Sequence, residues 1–186
     1  PMEKTVTFER RTHPAATVEF RAQGPKEGRL TGYAAVFDSP EHGELIQRGA
    51  FTKTLQESKR IDLLWAHDKT KPLASTRNGT LRLSQDSHGL KFEATLSAKT
   101  TWGADAYEAC RAGLVQGMSF GFRPIKSGTR TLDGQTVRVL REMQLEEISV
   151  CPDPWYTETS VEARSKNSLA NRLRRLRLRL KSLSLP

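Results

Sequence analysis

Ile61-Asp62-Leu63-Leu64-Trp65-Ala66-His67-Asp68 is the stretch on which the fold turns. Its apolar part is too short for an ordinary helix and runs straight into a polar segment, which fits a compact strand with His67 at its end. Similar runs lie on both sides. Toward the N-terminus, residues 4–22 read as extended, with Val6 and Phe8, then Val18 and Phe20, alternating with polar neighbours. The turn-rich Gly24-Pro25-Lys26-Glu27-Gly28 leads into Leu30-Thr31-Gly32-Tyr33-Ala34-Ala35-Val36-Phe37, a strand containing a glycine. Gly49-Ala50-Phe51-Thr52-Lys53-Thr54-Leu55 reads as a short helix with Phe51 and Leu55 on one face. Toward the C-terminus, residues 80–98 alternate around Asp86-Ser87-His88-Gly89, a hairpin signature, and residues 105–112 have helical composition, with Gly113 as the stop. Residues 136–140 and 143–150 form a further strand pair, and the prolines of Cys151-Pro152-Asp153-Pro154 end the sheet. Many short strands with two short helices predict a mainly β (α+β) fold, an antiparallel β-barrel or closed sheet with a few helices packed outside.

The chain has 186 residues, 36% apolar and 27% charged, enough for one folded domain plus an appendage. No apolar run approaches the roughly 20 residues of a membrane-spanning helix, and the charged segment 1–11 does not read as a secretory signal. Two cysteines, Cys110 and Cys151, are too few for a disulfide scaffold and fit a reducing, cytoplasmic setting. The four histidines, His13, His42, His67 and His88, show no paired helical spacing of the metal-binding kind, so a zinc site is not expected. The net charge of +9 is unevenly spread. From Arg164 onward there are eight cations and no acid, so the preceding 163 residues carry only +1.

Three positions carry candidate chemistry. Ser119 lies in Gly117-Met118-Ser119-Phe120-Gly121-Phe122, where glycines give the chain room to expose a nucleophilic hydroxyl and admit a substrate backbone. A glycine-containing strand with a small serine is the plain alternative, and no strand–elbow–helix order surrounds the segment. His67, held at a strand end yet reachable, suits a general base; a structural histidine at a strand end is its plain alternative. A third group that orients the imidazole is expected, and Glu146 or Glu147 in Leu145-Glu146-Glu147-Ile148-Ser149-Val150 can supply it. Strict alternation puts Leu145 and Ser149 with Glu147, and Ile148 and Val150 with Glu146, and does not choose between the acids. Cys151 is a competing nucleophile, against which stand its place before a proline and its lack of flanking glycines.

In this order the motifs resemble the tailed-phage prohead (capsid-maturation) serine protease family, related in fold to the herpesvirus assemblins. The matching pieces are Gly32-Tyr33-Ala34-Ala35-Val36-Phe37-Asp38, Gly49-Ala50-Phe51, Leu63-Leu64-Trp65-Ala66-His67-Asp68 with Pro72-Leu73, Gly89-Leu90, Ser119-Phe120-Gly121-Phe122 and Glu147-Ile148-Ser149-Val150. They span roughly residues 28–155. The chain departs from the family's pattern after Val150, where Cys151-Pro152-Asp153-Pro154-Trp155 stands. The resemblance implies an assemblin-like barrel in a protease domain over residues 1–160. It also implies a catalytic set of Ser119, His67 and Glu147 without cofactor. The implied substrate is the major capsid protein or a scaffold segment, with self-cleavage besides, and the implied place of action is inside the procapsid in the host cytoplasm. Dimerisation among the assemblins makes an oligomer an open expectation.

Residues 161–186 form a basic appendage. Leu169, Leu173, Leu176, Leu180 and Leu183 are spaced 4, 3, 4 and 3, an apolar stripe on a helix otherwise rich in arginine. Such a tail suits docking to capsid or scaffold, or a weak salt-dependent nucleic-acid contact. The rival to a protease is therefore a non-enzymatic assembly or nucleic-acid-binding module acting through this tail.

Overall fold

The structure, a computed structural model, describes residues 7–24, 27–58, 60–115 and 117–151. The expected basic helix over 161–186 lies outside the described residues, as do Trp155 and the prolines after Cys151. Among the described residues nine strands and two helices follow in chain order: β1 (Glu9–Gly24), β2 (Glu27–Val36), β3 (Glu44–Ile46), α1 (Thr52–Glu57), β4 (Asp62–Trp65), β5 (Asp68–Ser75), β6 (Leu81–Gln85), β7 (Gly89–Ser97), α2 (Thr101–Arg111), β8 (Gly117–Leu132) and β9 (Gln135–Cys151). The protein is mainly β, as the alternating runs predict.

The sheet differs from a closed antiparallel barrel in two ways. Its strand order is the open path β5-β4-β9-β8-β1-β2-β7-β6, with β3 on β9, curled into a half-barrel. The end strand β5 packs against β7 and β6 without joining their ladder, and α2 lies against β1, β5 and β7, with Trp102 donating to the Pro72 carbonyl at 3.2 Å. Secondly, β9 makes two parallel pairings, with β3 (Glu44↔Arg138) and with β4 (Asp62↔Glu147 to Trp65↔Val150). Parallel pairing needs a crossover rather than a hairpin, so local alternation carries no trace of it.

The expected strands at 136–140 and 143–150 are one strand, and β8 runs beside it for its whole length. Asp133 and Gly134, with φ of 48° and 78°, form the two-residue turn between them. Asp-Gly is the residue pair that such a turn favours. Helix α1 starts at Thr52 rather than Gly49, because Gly49 (φ 83°) and Ala50 form a turn that swings Phe51 inward. Phe51 then meets Phe120 edge-on at 5.8 Å, and Phe120 meets Phe122 at 5.3 Å. All three rings are fully buried, each contributing about 1.5–3 kcal/mol. This cluster fixes which face of β8 is interior. Helix α2 starts four residues earlier than its composition indicates, capped by Thr100, whose side chain accepts from Gly103 N–H.

Ala66 and His67 form the turn between β4 and β5, with Trp65 paired to Asp68. Their φ values, 49° and 62°, are left-handed, as a type I′ turn requires. Neither residue is glycine or asparagine, so each position stores strain on the order of 1 kcal/mol. Replacing exposed Ala66 by glycine relieves one of them. We expect Ala66→Gly to stabilise the fold by up to about 1 kcal/mol in denaturant titration; a clear loss of stability contradicts the strain argument.

Candidate active site

Residues opposed in a ladder project from the same face. In β8 and β9, Met118 opposes Val150 and Phe120 opposes Ile148, and these four make core. On the other face Ser119 opposes Ser149 and Gly121 opposes Glu147. The ladder then steps from Gly121↔Glu147 to Phe122↔Leu145, leaving Glu146 as an extra residue on β9. Such a bulge reverses alternation beyond it. Leu145 and Ile148 therefore both enter the core, while Glu147 turns to the face of Ser119. Strict period-two reading fails at this residue, and the bulge settles which acid faces the site. Glu146 instead pairs with Arg123 at 3.0 Å, partly exposed.

The parallel pairing of β4 with β9 brings the strained turn over this face. His67 Nδ1 lies 2.6 Å from Glu147 Oε1. Glu147 Oε2 accepts from Ser149 Oγ at 2.6 Å, and the same hydroxyl accepts from the His67 backbone N–H at 3.2 Å. Ala66 N–H donates to the Val150 carbonyl at 3.0 Å. The turn is thus held at backbone and side chain together, which is how a strained conformation persists. Glu147 is 4% exposed; its two oxygens are satisfied by His67 and Ser149. With Nδ1 turned to the carboxylate, Nε2 is the ring nitrogen free to exchange a proton.

Ser119 is wholly buried on the same face, and its hydroxyl donates to the Arg11 carbonyl at 2.9 Å. Among the described residues no hydrogen bond joins it to His67. It sits directly across from Ser149, at the ~4.5–5.5 Å Cα spacing of an antiparallel pair, and Ser149 touches both His67 and Glu147. A change of χ1 alone redirects the hydroxyl. The residues together can take a proton from a hydroxyl, hold the resulting imidazolium against a buried carboxylate, and return the proton.

The remaining candidates fall elsewhere. Cys151 is buried, and desolvation, with the Glu147 charge next, pushes its thiol up to about 11, so it is protonated at neutral pH and no nucleophile. His42 and His88 are exposed, the latter edge-on to Tyr33 at 4.5 Å; the side chain of His13 lies outside the described residues. Among the described residues no group of three or more histidines, cysteines and acids is arranged to hold a metal ion. Two contributors escaped the sequence. Ser149 shared the face of Glu147 by alternation, but nothing local marked it as the carboxylate's partner. Gly121 has a steric role: a Cβ there would lie 2.6 Å from Glu147 Oε1 and 2.6 Å from the Phe8 ring. Its lack of a side chain is the space the carboxylate occupies.

A sheet face that bears both a serine and an acid-held histidine has the residue types of a serine hydrolase. Residues 16–174 match the caudovirus prohead serine protease family. The chain belongs to that family, and it is a serine protease of phage capsid maturation. It is 30% identical over 162 residues to the prohead protease of Enterobacteria phage HK97, covering 86% of this chain and 68% of that protein. Its fold is similar to that of the bacteriophage T4 capsid assembly protease, with a TM-score of 0.53 at 9% identity, covering 79% of this chain and 98% of that one.

Two substitutions probe the geometry. Gly121→Ala pushes the carboxylate off His67, and we expect a drop of at least about tenfold in peptide cleavage with the fold retained. Unchanged cleavage means that the His67–Glu147 contact is dispensable. Cys151→Ala should leave cleavage within a factor of about two, as should treatment with iodoacetamide at neutral pH; inactivation by the reagent restores the thiol as a candidate.

Proposed function

We propose that Ser119, His67 and Glu147 are the catalytic set of an endopeptidase that cuts the capsid or scaffold precursor inside the assembling procapsid. The carrying observation is the 2.6 Å bond between His67 and buried Glu147 on the sheet face that bears Ser119. Ser119 Oγ attacks the scissile carbonyl carbon and passes its proton to His67 Nε2. Glu147 keeps the imidazole in the Nδ1–H tautomer and balances the imidazolium. His67 then protonates the leaving amine, and water, deprotonated by the same imidazole, releases the acyl group from Ser119. Ser149 is a positioning residue, since it touches the carboxylate and the His67 backbone rather than the substrate.

The order histidine, serine, third member on a β-rich frame supports an assemblin-like origin, with the acid in place of the second histidine of those enzymes. The protease domain is assigned to 1–160 and the basic appendage to 161–186, with the appendage docking to capsid or scaffold. Self-cleavage, assembly into an oligomer and action in the host cytoplasm accompany this reading. Membership of a protease family weighs against a non-enzymatic module working through the tail alone.

Co-expression with the capsid precursor tests the roles. Ser119→Ala should fold and leave the precursor uncut; normal processing by this variant removes the assignment. Glu147→Gln should lower turnover by about 10³–10⁴, whereas Glu146→Gln, which breaks only a surface ion pair, should stay within a factor of about three. Equal effects mean that the acid is wrongly placed.

A further inference from the structure

The contact that occupies Ser119 identifies what the protease accepts. The segment Glu9–Thr12 runs antiparallel along β8 with Thr12 opposite Ser119, Arg11 opposite Phe120 and Glu9 opposite Phe122. Among the described pairings it has β8 on one side only, since β1 does not meet β2 until Val18. Beyond Thr12 the register breaks and resumes at Thr17↔Gly117. This is how an extended peptide adds to a sheet edge. Ser119 Oγ donates to the Arg11 carbonyl oxygen at 2.9 Å, which places the Arg11–Thr12 peptide bond beside the hydroxyl.

The side chains are bound as specifically as the backbone. Glu9 and Arg11 project from the face opposite Ser119, onto a pair that belongs to the protein body: Glu44 of β3 and Arg138 of β9, opposed in their parallel ladder. Arg11 forks onto Glu44, Nε to Oε1 at 2.6 Å and Nη2 to Oε2 at 3.1 Å, with its guanidinium carbon 5.6 Å from the centre of the Phe122 ring. Arg138 forks onto Glu9 at 2.8 and 3.0 Å and also reaches Glu44 at 3.0 Å. Arg11 and Glu9 bond each other at 2.5 Å. The hydrogen bond from Arg138 is the chief reason that the Glu9 carboxyl is held below its ordinary range. A cleft of about 450 Å³ continues beside the guanidinium, lined among others by Glu41, Glu44, Ile46 and Phe120. A bidentate carboxylate distinguishes arginine from other residues by geometry as well as charge.

We infer that Glu44 and Arg138 determine the specificity of this protease, selecting peptides with a basic residue immediately before the cut bond and an acid two residues before that, the pattern Glu9-Arg10-Arg11 displays. This rests on Ser119 being the nucleophile. In the chain's own segment, Ser119 Oγ bonds to the Arg11 carbonyl carbon and the Arg11–Thr12 C–N bond breaks. The serine proton goes through His67 to the Thr12 amine. Water then cleaves the ester, leaving the Arg11 carboxylate and a free hydroxyl on Ser119.

The test follows the N-terminus of the full chain by intact mass during incubation of the purified protein, with thermal melting as the folding control. The expected result is Ser119-dependent cleavage between Arg11 and Thr12, slowed less than about tenfold by Arg11→Lys and at least about a hundredfold by Arg11→Glu. Inverting the receiving pair, Glu44→Arg with Arg138→Glu, should restore cleavage of a chain carrying Glu9→Arg and Arg11→Glu. Should Arg11→Glu fail to fold, Arg11→Ala against Arg11→Lys makes the same comparison. Ser119-dependent cleavage only at other bonds, or at this bond with equal rates for lysine and glutamate, overturns the specificity and leaves the protease standing. Absence of any Ser119-dependent cleavage overturns both.

Discussion

A carboxylate almost cut off from water has to be solvated by the protein itself, and Glu147 is that carboxylate. Much of the local architecture follows from this requirement. The bulge at Glu146 turns the side chain away from the core, Gly121 leaves the space for it, and Ser149 supplies one hydrogen-bond donor. The strained turn at Ala66 and His67 supplies the other. Helix α1 is tied to the same place, because Thr54 Oγ1 accepts the Leu145 N–H at 3.0 Å beside the bulge. Removing either Ser149 or His67 leaves the buried charge short of a partner, a more expensive outcome than losing an ordinary surface bond.

The sheet also explains how an imidazole at 67 and a hydroxyl at 119 share a face. β9 stands between β4 and β8, so Leu64, Ser149 and Ser119 lie in one row across three strands. The row continues to Thr12 on β1. The HK97 relative keeps 30% identity with this chain, whereas the T4 structure shares the fold at 9%. Burial patterns permit that divergence, since many apolar sequences satisfy one backbone.

Several parts of this arrangement were legible in the residues. Hydrophobic patterning found β1, β2, β4, β6, β7 and β9 but not β3 or the largely polar β5; Gly113 marked the end of α2, and the motifs around His67, Ser119 and Glu147 marked the family. Period-two logic could not choose between Glu146 and Glu147, because the choice depends on an inserted residue whose effect appears only when β9 is paired. The parallel partners of β9 were hidden for a related reason: Asp62 and Glu147 are joined by tertiary packing, with no signal in the intervening chain. The ion cluster of Glu9, Arg11, Glu44 and Arg138 likewise draws on three distant segments, each charge looking like an ordinary solvated side chain in its own surroundings.

The parallel union of β4 with β9 has a consequence for the order in which the molecule is made. His67 leaves the ribosome well before Ser119, and the carboxylate that orients it follows later still. No nascent chain ending before residue 147 can assemble the His67–Glu147 pair, and closing a loop of that length is among the slower events in building a sheet. Synthesis itself therefore withholds the His67–Glu147 pair until almost the whole β-framework has emerged.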